Sequence, residues 1–172
     1  AGVSAQGIYL HNSEDRRQSD NPKDWWSEGK LDPDLDVVPL AGRTVFIGFD
    51  SPDTRESALV GLAEARLAKL LTKAGAEVYV IRMDAPPGGK AGLDDHLARS
   101  EDPTAELTRL LDTAEPADPV KRMQRAVETG EHFTLIKDRG FQAACKVADV
   151  GVLDEVKQVA NGKVGRRSIN EA

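Results

Sequence analysis

The chain has one cysteine, Cys145, in 172 residues. An internal disulfide is therefore excluded, and a reducing compartment, the cytoplasm, is expected. Aromatic residues make up only 5%, so Val, Leu, Ile and Ala must build the core. No apolar run nears the roughly 20 residues that a membrane helix needs, and no membrane partner is expected. No signal peptide is visible. There is no excess of positive charge either: the net charge is −6 and the pI about 5.1. That excludes a surface that coats nucleic acid in bulk, but not a metal-mediated contact with phosphates. Ala1-Gly2-Val3 opens the chain without an initiator Met, as in a fragment of something longer.

Familiar chemical signatures are missing too. Gly88-Gly89-Lys90 lacks the glycine spacing and the following Ser/Thr of a phosphate loop. His11, His96 and His132 do not have zinc-ligand spacing, and one cysteine cannot make a structural zinc site. His96 reads as a helix-surface residue and Cys145 as a small buried one. No Ser/His/Asp arrangement can be assembled.

The most informative segment that is present is Thr44-Val45-Phe46-Ile47-Gly48-Phe49-Asp50. It reads as a strand buried on both faces, as inside a parallel sheet. Such strands deliver functional groups at their carboxyl ends. A carboxylate there, followed by Ser51-Pro52-Asp53-Thr54, suits a divalent cation. It equally suits the N-cap of the next helix.

A helix is expected over residues 54–74, because Leu59, Leu62, Ala63, Leu67, Leu70, Leu71 and Ala74 recur on one face. Gly75 closes it. Residues 76–83 form the next strand, completing a right-handed βαβ unit. A Pro/Gly loop follows, then a short helix over residues 93–100. Upstream, Gly7-Ile8-Tyr9-Leu10 is a short strand candidate. Residues 11–36 form a long polar loop carrying Trp25-Trp26, which either tuck against the domain or stack on bases.

After Pro103 the pattern turns helical. Helices are expected over 104–113, 120–129, 141–148 and 152–160, with a hinge at 115–119 and a tail at 161–172. Residues 1–102 thus form an α/β domain, and residues 103–172 a helical appendage and tail.

A second constellation is Gly89-Lys90-Ala91-Gly92-Leu93-Asp94-Asp95-His96-Leu97. In a parallel pair both loops open at the same sheet edge. Lys90, Asp94 and Asp95 are therefore expected near Asp50 and Asp53. Carboxylates gathered at one edge repel, and a hard cation such as Mg2+ relieves that repulsion. The plainer reading has Asp94 capping the helix and Asp95 solvated.

These residues resemble the second half of a Toprim domain, closest to the Toprim-like domains of phage and plasmid replication proteins of primase or helicase–primase type. Three blocks carry the resemblance in order: residues 42–51, residues 75–80, and residues 89–98. It implies a small, mainly parallel, Rossmann-like sheet flanked by helices. It also implies Mg2+ or Mn2+ held by Asp50, Asp53 and Asp94, with Asp50 and Asp53 catalytic, and Lys90 and Arg43 as phosphate-binding residues. The implied chemistry is nucleotidyl transfer, as in primer synthesis, or phosphodiester cleavage, with DNA or nucleotides as substrates and a helicase or other replication domain as partner.

Two departures stand out. The family's second aspartate falls on Pro52, so Asp53 must serve through a rearranged turn. The family's acid–base Glu has only Glu14 as a poorly spaced substitute. The alternative is a catalytically inactive scaffold that binds DNA or a helicase partner. A metal-dependent phosphatase or nuclease unrelated to replication is a third option.

Overall fold

The computed structural model describes residues 31, 35, 37–50, 58–84, 86, 89, 91–148 and 152–162. The expectations for Gly7–Leu10, the loop at 11–36, Glu14, Trp25-Trp26, Asp53 and Lys90 lie outside these residues, apart from isolated positions of the loop.

Strand β1 (Thr44–Ile47) and strand β2 (Glu77–Val80) are joined by helix α1 (Ala58–Lys73). The strands pair in parallel, Thr44 opposite Glu77 and Ile47 opposite Val80. Helix α1 forms because apolar residues recur at helical spacing. Leu62, Ala63, Leu67 and Leu71 are buried, each large side chain contributing about 1.5–3 kcal/mol of transfer free energy. The helix gives way to a turn at Ala74-Gly75, where Gly75 takes φ 90°. A side chain there would crowd the Ala41 backbone at 3.2 Å.

After β2 come α2 (Leu93–Ala98) and α3 (Pro103–Asp112). The sheet is covered on both faces. Ile47 and Val78 pack with Leu67, Ala68 and Leu71 of α1 on one face. Ile81, with Tyr79 and Met83, packs against Leu110 of α3 and Leu93 and Leu97 of α2 on the other.

The segment expected to be a hinge is instead a third strand, β3 (Glu115–Pro116). It runs antiparallel to β2, Val80 opposite Glu115 and Tyr79 opposite Pro116. The sheet order is β1-β2-β3, so the sheet is mixed rather than mainly parallel. The ladder is short because proline has no N–H to donate; one further bond, Ala117 N–H to Val78 O at 2.9 Å, extends it.

Burial of β1 on both faces is corrected as well. Among the described residues β1 is an edge strand, with Thr44 exposed and Phe46 38% exposed. Phe46 recovers cover by stacking on Tyr79, with ring centroids 5.7 Å apart.

Four more helices follow: α4 (Pro119–Thr129), α5 (His132–Lys137), α6 (Arg139–Val147) and α7 (Val152–Ala160). Asp118 caps α4 by accepting from Val120 N–H at 2.8 Å, and Gly130 ends it at φ 78°. Met123, Phe141, Val156 and Val159 form the core of this region, while α6 packs along α1.

Buried charges join the two regions. Glu64 of α1 accepts two bonds from Arg82, at 2.7 and 2.8 Å. Glu115 of β3 accepts from Arg82 at 3.3 Å and from Arg122 of α4 at 2.7 Å. The Arg122 guanidinium lies 5.4 Å from the Phe141 ring centre. Burial works against the charge on Arg82, but Glu64 and then Glu115 outweigh it and hold the group above its ordinary value. Burial pushes Arg122 down, with Glu115 opposing. Among the described residues no helix is long and apolar enough to cross a membrane.

Candidate functional site

Parallel pairing brings the ends of β1 and β2 to one edge. Asp50 lies three residues past β1, and Asp84 lies four past β2. The loop after β2 returns to this edge through Ala91 and Gly92, and Gly92 begins α2 as its N-cap at φ −72° and ψ 172°.

Gly92 is the centre of the geometry. A Cβ built there would lie 2.6 Å from Asp94 Oδ1 and 3.3 Å from Asp50 Oδ1. Two carboxylate oxygens from separate segments therefore approach the same backbone position. Both aspartates are exposed. Asp94 sits in the first turn of α2, beside Asp95, where the helix dipole favours negative charge.

The donor set fits a small hard cation. Mg2+ keeps several waters and takes one or two carboxylates along with substrate phosphates, and Asp50 with Asp94 supplies two. Among the described residues no group of three or more His, Cys, Asp or Glu could hold a metal. The expected third ligand, Asp53, lies outside them, as does Lys90.

One other expected residue is placed apart from this pair. Arg43 precedes β1 and its carbonyl accepts from Glu77 N–H at 2.8 Å. It stands at the opposite end of the sheet from Asp50, about 20 Å of extended chain away. Asp95 is exposed, and its backbone carbonyl, rather than its carboxylate, accepts from Arg99 Nε at 2.8 Å.

Ala91, next to Gly92 in the chain, lines a cleft of about 350 Å³ with Asp84, Pro86, His96, Arg99, Ser100 and Glu106; neither Asp50 nor Asp94 lines it. The reading of His96 as a surface residue is corrected here. Its side chain is 22% exposed, and Nε2 lies 2.6 Å from Glu106 Oε1 on α3. Glu106 also accepts from Arg109 at 2.6 and 2.8 Å. The Arg109 bonds, then the His96 bond, hold the Glu106 carboxyl well below its ordinary value, at about 2.

Sequence reasoning missed this grouping because His96 and Glu106 meet only when α2 folds back on α3. Asp84 was accessible by analogy, since it follows β2 much as Asp50 follows β1. Cys145 is half-buried, and burial raises its thiol; it lies on α6, away from this edge in the chain.

No curated protein and no solved structure matches this chain. Residues 1–103, more than half of it, match the family described as a Domain of unknown function (DUF3854), and they include β1, β2, the Asp50–Asp94 pair and His96. The chain belongs to this family.

Proposed function

We propose that the carboxyl edge of the sheet carries out Mg2+- or Mn2+-dependent nucleotidyl transfer or phosphodiester chemistry in DNA replication. The observation that supports it is the convergence of Asp50 and Asp94 on Gly92. Two of the three sequence blocks resembling Toprim domains, residues 42–51 and 89–98, contain these same residues, which adds to the reading.

In this scheme Asp50 and Asp94 bind the cation, and Asp53 completes the set. A bound divalent cation supplies charge neutralisation at the phosphoryl oxygens. Lys90 pairs with a phosphate oxygen. DNA or nucleotides are the substrates, and a helicase or other replication domain is the partner.

Calorimetric titration with Mn2+, on the chain and on Asp50→Asn and Asp94→Asn, tests this. Binding that weakens sharply in both variants is the expected result; primer-synthesis and nuclease assays then follow. Binding indifferent to both would refute the cation site.

One observation favours a second reading. Pro52 stands where the resembled family carries its second aspartate, as in a scaffold that binds DNA or a helicase without turnover. Metal binding with no activity in either assay would select it.

A further inference from the structure

The cleft that Ala91 lines is not used by the reading above. Its walls come from three elements. Asp84 and Pro86 follow β2. His96, Arg99 and Ser100 belong to α2 and its C-terminal end, and Glu106 lies in the first turn of α3. The His96–Glu106 contact at 2.6 Å ties α2 to α3 and holds two of the walls at a fixed spacing. A volume of about 350 Å³ falls at the lower end of small-molecule sites, about 300 to 1,000 Å³.

Hydrogen bonding sorts the polar groups into closed and open ones. Glu106 is closed: it accepts twice from Arg109 and meets His96 Nε2. Arg109 lies within electrostatic reach of Asp84, but its side-chain hydrogen bonds go to Glu106. Arg99 is half open. Its Nε donates to the Asp95 carbonyl at 2.8 Å, which fixes the stem, and its terminal nitrogens make no hydrogen bond among the described residues. The Asp84 carboxylate and the Ser100 hydroxyl make none among them either.

One open carboxylate, one open guanidinium and one hydroxyl thus line the same cleft. They select by charge. A phosphate would gain Arg99 but meet the like charge of Asp84, and a diamine would gain Asp84 but meet Arg99. A ligand with one charge of each sign satisfies both. A guanidinium takes a carboxylate through two parallel bonds, and an ammonium offers three donors to a carboxylate. Pro86 and Ala91 supply the apolar part of the lining, a surface for a small side chain.

We propose that this cleft binds a free α-amino acid as its zwitterion, with the carboxylate on Arg99 and Ser100 and the ammonium on Asp84. The site is separate from the cation pair and takes its ligand without metal.

The test uses the full chain in EDTA, so that the cation pair plays no part. Calorimetry and amide NMR follow glycine, leucine and phenylalanine, which differ in side-chain size. Their N-acetyl derivatives lack the ammonium, their amides lack the carboxylate, and inorganic phosphate and putrescine carry one sign only. At least one of the three amino acids should bind with a micromolar to millimolar Kd and shift the Ala91, Arg99 and Ser100 amides. Every one-sign probe should bind about tenfold or more weakly, the loss of one charge-assisted contact. Asp84→Asn should weaken the amino acid by about the same factor without weakening its N-acetyl derivative. Arg99→Gln should weaken it without weakening its amide. Both side chains are exposed, so both variants should keep the fold, which thermal denaturation checks.

No binding by any of the three amino acids, equal binding of either derivative, tighter binding of phosphate or putrescine, or affinity indifferent to either variant would overturn the proposal. A failure of Mn2+ to bind at Asp50 and Asp94 would leave it standing, because neither residue lines the cleft.

Discussion

Replacing Gly92 by alanine separates the stability of the edge from its chemistry. The backbone at Gly92, φ −72° and ψ 172°, is open to any residue. Alanine there narrows the unfolded ensemble, a gain of about 0.4–1 kcal/mol. It is a poorer N-cap than glycine, a cost of similar size. The fold should therefore keep its melting temperature within a few degrees.

The carboxylates should respond differently. The new Cβ would stand 2.6 Å from Asp94 Oδ1 and 3.3 Å from Asp50 Oδ1. Asp94 must swing away and Asp50 must yield slightly. Moving one carboxylate from about 4 Å to about 6 Å from a divalent cation costs about 1–3 kcal/mol, for an effective dielectric between that of water and roughly 20. That corresponds to about a 5- to 100-fold rise in Kd.

Gly89→Ala is the control, because its nearest neighbour would be Pro86 Cγ at 3.8 Å. Mn2+ calorimetry with thermal denaturation reads both variants. An unchanged Kd in Gly92→Ala, at unchanged melting temperature, would refute the assignment of Asp50 and Asp94 as cation ligands.

Two further outcomes are expected. Arg82→Met strands the buried Glu64 carboxylate and should cost about 3–5 kcal/mol in urea unfolding; the Glu64→Leu/Arg82→Met double variant should recover much of that, and strictly additive losses would refute the coupling. For Glu106 the folded value of about 2 lies below the ordinary 4.5, so its contribution is present above about 4.5 and fades as pH falls toward 2. The melting-temperature gap between wild type and Glu106→Gln should close across that window, and a gap that stays constant would count against the Arg109 and His96 bonds as its source.

The sequence made the local pieces readable where periodicity and end signals agreed. Leu62, Leu67 and Leu71 announce α1, and Gly75 and Gly130 announce two helix ends. The pairing of Asp50 with Asp94 was also readable, because parallel strands send their following loops to one edge. Glu115-Pro116 was not. Proline and a charged residue argue against a strand, and only the open side of β2 turns them into one. Glu64 was hidden for a related reason: it sits on the apolar side of α1 as a buried charge, acceptable only because Arg82 arrives from β2. His96 and Glu106 have no local signal at ten residues' separation, since their bond depends on how α2 meets α3.

The two-residue β3 has a consequence for how this sheet can grow. With a proline as one of its two residues and helix α4 starting at Pro119, β3 offers a partner almost no N–H groups on its outer side. Among the described residues, recruitment of another strand is thereby steered to the far side, along β1. A strand added there would run beside the segment that carries Asp50 to the sheet edge. Accretion of new structure and access to the carboxylate pair are thus tied to the same border of the molecule. A fusion or insertion that builds on β1 would reshape the mouth of the site, while one placed beyond β3 would leave it untouched.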